Sequence, residues 1–199
     1  MRVSLTAATL VALVGVAACL APTKLTASWK APGTTEVRFK KVLVAAQTPD
    51  LTRRRTMEDL LAKRIENSTP SYSLLNEEEV KDGNRARAKV VAGGFDGAVV
   101  VRFVGTESQT TYVPGTAYWG PAPYGAMWGY WGYGWGAAYS PGYLTTDTVV
   151  TLESNIYDVT KEALIWSSRS ETISPGSINE LMQSVIETTV REMRKQKVL

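Results

Sequence analysis

Histidine is absent from this 199-residue chain, and cysteine occurs once. Without histidine, the commonest general base near neutral pH and the commonest metal ligand are missing together. One cysteine excludes an internal disulfide. Net charge is scarce as well: 22 Lys and Arg against 19 Asp and Glu leave a formal +3, and no basic cluster is longer than Arg53-Arg54-Arg55. A nucleic-acid binder carries a much stronger basic footprint, so nucleic acid is set aside as a partner. After the first residues, no apolar run is long enough to span a bilayer as a helix. The most local absence lies in Ser108 to Thr146, where no Asp, Glu, Lys or Arg occurs at all.

What fills that stretch is glycine and aromatic side chains, most densely in Met127-Trp128-Gly129-Tyr130-Trp131-Gly132-Tyr133-Gly134-Trp135-Gly136. Of the 18 aromatic residues in the chain, 11 fall between Tyr112 and Tyr143, so most of its capacity to stack on or wedge into another molecule sits there. The remaining composition, 44% apolar and 21% charged, is that of an ordinary globular domain, and the length suits one.

The amino terminus reads as a signal peptide over residues 1–18. One positive charge at Arg2 precedes an apolar run, Val3 to Val16, that is too short for a membrane helix and ends in Ala17-Ala18. The small residues lead straight into the only cysteine, and Val16-Ala17-Ala18-Cys19 resembles the lipobox of bacterial lipoproteins. An ordinary secretory peptide would instead leave an odd thiol in an oxidising compartment. The resemblance implies acylation of Cys19, cleavage before it, and a mature protein anchored to the bilayer without spanning it. Leu20 after the cysteine, in place of Asp, implies the outer membrane, facing the periplasm, if the source is a diderm bacterium. Residues 19–38, with Pro22, Pro32 and Gly33, read as a lipidated tether. Trp29, its one sticky residue, is expected to pack on the domain edge.

Residues 39–199 read as a single α/β domain with the Gly/Tyr/Trp-rich insertion 108–146. Lys41 to Gln47 is a short apolar run expected to form a buried strand. Met57, Leu60, Leu61 and Ile65 then recur at helical spacing, which leaves Arg53, Arg54, Glu58, Asp59, Lys63 and Arg64 for the wet side. Ser71 to Leu75 suits a second strand, and Asn76 with Glu79 has the form of a cap for a second helix that closes at Gly93-Gly94 and is weakened near Asp82-Gly83. Ala98 to Val104 suits a central strand buried on both faces. Thr148 to Tyr157 alternates as a half-buried antiparallel strand does, Asp158 to Glu162 makes a turn, and Ala163 to Ile173 returns. Ser177 and Glu180 cap a last helix whose stripe is Ile178, Leu181, Met182, Val185, Ile186, Val190 and Met193. The order βαβαβ, aromatic excursion, ββ, α predicts a mixed sheet with helices packed on it, an α/β or α+β sandwich.

The lipobox, the Gly-Phe-Asp-Gly-Ala-Val step at Gly94 to Val99, and the Leu-Ile-Trp-Ser hairpin end before a terminal helix resemble uncharacterised periplasmic lipoproteins. Their domain is similar to the N-terminal domain of the translocation protein TolB. Similar domains occur in the curli secretion lipoprotein and in lipoprotein activators of penicillin-binding proteins. The resemblance implies a domain that binds protein partners and does not catalyse, and it assigns no functional residue here.

Catalysis finds little purchase in the sequence. Asp96 and Asp147 are available carboxylates, but they flank turns and strand ends, and Ser and Thr lack a histidine to activate them. No cofactor and no metal site is implied. The uncharged stretch is the candidate site, through Trp119, Trp128, Tyr130, Trp131, Tyr133 and Trp135. Four readings stand open: a flexible or partly hairpin-like loop that packs its Trp and Tyr back over the sheet, a docking surface for an envelope protein or for copies of the chain itself, rings seated in the lipid headgroup layer, and stacking on an envelope glycan such as peptidoglycan. A spanning hairpin of the curli type would need strict apolar and polar alternation, which glycine and aromatics without charges fit poorly.

Overall fold

The computed structural model describes residues 23–114, 116–118, 138–140 and 143–199. A six-stranded mixed sheet forms its centre, with three helices against it. In chain order the elements are β1 (Thr23–Lys30), β2 (Val42–Gln47), α1 (Leu51–Arg64), β3 (Ser68–Pro70), α2 (Gly83–Ala92), β4 (Gly97–Val113), β5 (Thr116–Tyr118), β6 (Ala138–Ser140), β7 (Tyr143–Asp158), β8 (Ala163–Ile173) and α3 (Ile178–Lys195). The sheet order is β1-β8-β7-β4-β2-β3, and β5 and β6 form a separate two-stranded ladder. β2 pairs in parallel with β3 and β4, whereas β4, β7, β8 and β1 pair antiparallel.

β2 lies inside the sheet because its apolar run has no polar side to show to water: Val42, Leu43 and Val44 are all buried. Val42, Val44 and Ala46 face the main core with Met57 and Leu61 of α1, while Leu43 meets Val90 of α2 and Phe95 on the other face. The two parallel crossovers run in opposite directions across the sheet, from β2 out to β3 and from β3 back to β4. Right-handed connections then require their helices on opposite faces. The third helix follows its stripe. Leu181, Met182, Val185, Ile186, Val190 and Met193 are buried in the main core, Ser177 accepts from the Glu180 N–H at 3.1 Å, and Ile178 alone of the predicted set stays 42% exposed. At Gly97 the Phe39 ring packs where a Cβ would stand, so only glycine fits the start of β4.

Three expectations need correction. The tether reading of residues 19–38 fails over Thr23–Lys30, which is an edge strand on β8, paired from Thr23 with Thr172 to Lys30 with Trp166. Trp29 lies on that edge strand, 48% exposed. Ser71 to Leu75 is not a strand: Ser71–Ser73 is a 3-10 turn, and the strand lies just before it. Pro70, with no N–H to donate, ends the ladder there. The predicted second helix divides where Asp82-Gly83 weakened it. Asn76 Oδ1 accepts from Glu78 N and Glu79 N at the entry to a short 3-10 turn, Glu79–Lys81, and α2 begins anew on Asp82, which accepts from Asn84 N and Arg85 N.

The wet-side reading of α1 is also corrected at two positions. Arg54 and Glu58 are buried, with Arg54 Nε donating to Glu58 Oε1 at 3.0 Å. The same carboxylate accepts from Ala46 N at 3.1 Å, Ser71 Oγ at 2.7 Å and Tyr72 N at 2.9 Å. Arg54 also donates to Ser71 Oγ at 2.8 Å. A buried carboxylate is tolerated only with such a complement of donors. The cluster is closed on itself, and it bolts α1 to β2 and to the 3-10 turn.

Candidate functional site: a hairpin arm on the sheet

The uncharged stretch begins inside a strand. β4 and β7 stay paired through Val113 and Tyr143, far beyond the point where their outer neighbours stop. β2 leaves β4 after the Gln47 and Arg102 pair, and β8 leaves β7 at the Ile173 and Val149 pair. Ser174 holds the outer edge one step further, its N–H donating to Thr148 O at 2.7 Å and its Oγ accepting from Thr148 N at 3.2 Å, and from Gln109 and Asp147 onward neither edge of the ribbon pairs with a further strand. Beyond it the separate β5–β6 ladder pairs in the same register, Thr116 opposite Ser140 and Tyr118 opposite Ala138. The paired ribbon from Gln109 to Val113 spans about 14 Å at a strand's rise per residue.

A bulge marks its base. The register shifts between Phe103 and Gly105, which leaves Val104 as an extra residue on β4. Such bulges bend a strand and raise its twist where it leaves a sheet. Beside the bulge, at the carboxyl end of β2 and the middle of β4, an apolar groove of about 320 Å³ is lined by Met57, Val101, Phe103, Leu152, Leu181 and Met182.

Along the ribbon the pairs alternate faces. Ser108 with Thr148, Thr110 with Thr146, and Tyr112 with Leu144 share the helix side, and Gln109 with Asp147 and Thr111 with Thr145 share the other. Thr110 and Thr146 hydroxyls lie 3.2 Å apart. Between Asp147 and the Tyr112–Leu144 pair the shaft is thus threonine on both faces, polar and uncharged. The last charges on it are Glu107 and Asp147, and Asp147 accepts from Ser174 Oγ at 3.1 Å. Past them come exposed apolar groups: Tyr112 at 62%, Tyr143 at 61% and Leu144 at 69%. These three were not singled out by sequence, although the edges of the aromatic count at Tyr112 and Tyr143 marked the place.

The predicted site residues Trp119, Trp128, Tyr130, Trp131, Tyr133 and Trp135 lie outside the described residues, as does Cys19. What the structure adds is their mount, because both ends of the segment 119–137 are held by the β5–β6 ladder. The paired flanks agree with the partly hairpin-like form of the packed-back reading, and where its rings pack lies outside the described residues. Of the two carboxylates considered for chemistry, Asp96 is occupied as a bracket, accepting from Lys40 N at 2.8 Å and Lys41 N at 2.9 Å. Among the described residues no helix is long and apolar enough to cross a membrane.

No protein-family model matches this chain, and no curated protein matches it in sequence. Among solved structures it is similar to the PelC dodecamer from Paraburkholderia phytofirmans, with 12% identity and a TM-score of 0.45 over 86% of this chain and 96% of that one. It is also similar to the lipoprotein GNA1162 from Neisseria meningitidis, with 13% identity and a TM-score of 0.39 over 78% of this chain and 98% of that one.

Proposed function

We propose that this protein is a lipid-anchored envelope lipoprotein and a non-catalytic binding or assembly module, whose hairpin arm presents an uncharged aromatic segment to another component of the envelope. The observation that carries the reading is the free ribbon. A two-stranded hairpin is marginal in water by itself, and this one leaves two rows of backbone donors and acceptors unpaired while displaying Tyr112, Tyr143 and Leu144. Edges of that kind are normally blunted by charge or covered, yet this arm carries no charge past Asp147. The features suit a surface that is covered in its working state. Cys19 supplies the anchor in this reading.

The test replaces residues 119–137 with a short turn in the full chain. The β4–β7 register is already set below the cut, so the domain is expected to unfold cooperatively with a midpoint close to that of the parent. Crosslinking within the envelope is expected to lose the adducts that the parent forms. An intact adduct pattern would remove the arm from the binding role. Cys19→Ala is expected to release the protein into the soluble fraction, and continued membrane retention would refute the lipid anchor.

A further inference from the structure

The arm and the anchor leave the domain at the same end. Thr23 pairs with Thr172, Thr172 with Val150, and Val150 with Thr106, so the start of β1 stands level with Thr106 on β4. β1 runs opposite to β4. The amino end of β1 therefore points to the side toward which the arm extends. Cys19 is four residues upstream, a contour of at most about 14 Å. Taken straight along the strand direction, it reaches no farther than the level of the Thr110 and Thr146 pair. The paired ribbon continues for three more residues, to Val113 and Tyr143, about 10 Å past that level.

A second observation falls at the same height. The last charges on the ribbon, Glu107 and Asp147, stand at and just below the level of Gln109, since Asp147 pairs with Gln109. Charge thus ceases where the acylated cysteine would set the bilayer surface. The exposed apolar groups begin immediately beyond, at Tyr112, Leu144 and Tyr143. Charged groups are costly past the headgroups, and tyrosine is a residue of the interface.

The geometry points to the lipid bilayer that holds Cys19 as the surface the arm docks on, with the ribbon from Thr110 to Val113 and from Tyr143 to Thr146 seated in the headgroup layer. This inference rests on the lipid-anchor reading above and names the partner of the arm. The headgroup layer is the depth that suits a single copy, because its unpaired edges still find water and phosphate there and would find neither in hydrocarbon. The polar threonine shaft agrees with that depth.

The lipidated full chain is tested in phospholipid vesicles. Acylation blocks the sulfur of Cys19, so Glu107→Cys, Leu144→Cys and Lys161→Cys each offer one site for an environment-sensitive fluorophore. Leu144 is 69% exposed, and Lys161 is in the turn at the opposite end of the sheet. Nitroxide lipids labelled near the headgroup are expected to quench the probe at 144 at least about twofold more than that at 161, with 107 between them. Nitroxides deep in the chains are expected to quench less than shallow ones. Equal quenching at 144 and 161 in protein that still floats with vesicles overturns the docking while leaving the anchor intact. Stronger deep quenching overturns the interfacial depth. An unquenched probe at 144 that crosslinks to a second copy or to another protein gives the arm a protein partner instead. Protein that fails to float and carries no acyl mass on Cys19 overturns the anchor reading and this inference together.

Discussion

Removing the Glu58 carboxylate is expected to be the most damaging single change in this domain that leaves the apolar core untouched. The side chain is fully buried and sits opposite a guanidinium that is itself 6% exposed. Four donors converge on it: Arg54 Nε, Ser71 Oγ and the backbone N–H groups of Ala46 and Tyr72. Glu58→Ala leaves Arg54 as a buried cation with only Ser71 beside it, and breaking a buried pair from one side costs about 3–5 kcal/mol. Two backbone N–H groups lose their acceptor as well, at about 1–3 kcal/mol each when nothing replaces it. These terms overlap, so about 4–6 kcal/mol is expected in total, against about 5–15 kcal/mol for a whole domain. Glu58→Gln keeps the shape and one oxygen but turns a donor toward a donor, and about 2–3 kcal/mol is expected. The assay is urea unfolding followed through Trp166, which is fully buried and donates from Nε1 to Gln196 Oε1 at 2.9 Å. A loss below about 1 kcal/mol for Glu58→Ala, with an unchanged denaturant slope, would refute the claim that this cluster bolts α1 to the sheet.

Two further outcomes follow from the same kind of accounting. At the β7–β8 turn, burial works against the Asp158 charge but is outweighed by the Thr160 hydroxyl and the Lys161 ammonium and N–H, so its pKa falls from 3.8 to about 2. A depressed carboxylate stabilises above its unfolded pKa. The gap in urea midpoint between the parent and Asp158→Asn is therefore expected to be full near pH 5 and to close as pH falls to about 2; a gap independent of pH would refute it. Thr189 Oγ1 is buried without a hydrogen-bond partner, so Thr189→Val keeps the shape and removes the cost of a stranded hydroxyl. Thermal unfolding is expected to show a gain of about 0.5–1.5 kcal/mol, and a loss would mean that the hydroxyl has a role in the core.

How far the sequence reaches depends on whether a residue's partner is near it in the chain. The last helix was legible throughout because its signals are local: the Ser177 cap, the apolar stripe at helical spacing and basic residues in the last turn belong to one segment. β2 was legible for the same reason, since an unbroken apolar run can be satisfied only inside a sheet. The pairs that failed are those made at a distance. Thr23–Lys30 has no core-forming pattern and becomes a strand only because β8, some 140 residues away, offers it an edge. Arg54 and Glu58 look like ordinary surface charges on a helix until the backbone of β2 and the 3-10 turn bring donors around them.

The same division governs the candidate site. Sequence alone set out an uncharged aromatic stretch and a lipobox-like Cys19, because both are compositional facts of contiguous residues. Only the tertiary structure decided that the stretch begins as a continuation of β4 and β7, because strand pairing is a property of two segments and their register. It also placed the start of β1 at the arm's end of the sheet. That placement depends on three successive pairings, Thr23 to Thr172 to Val150 to Thr106, none of which is written in any one segment of the chain.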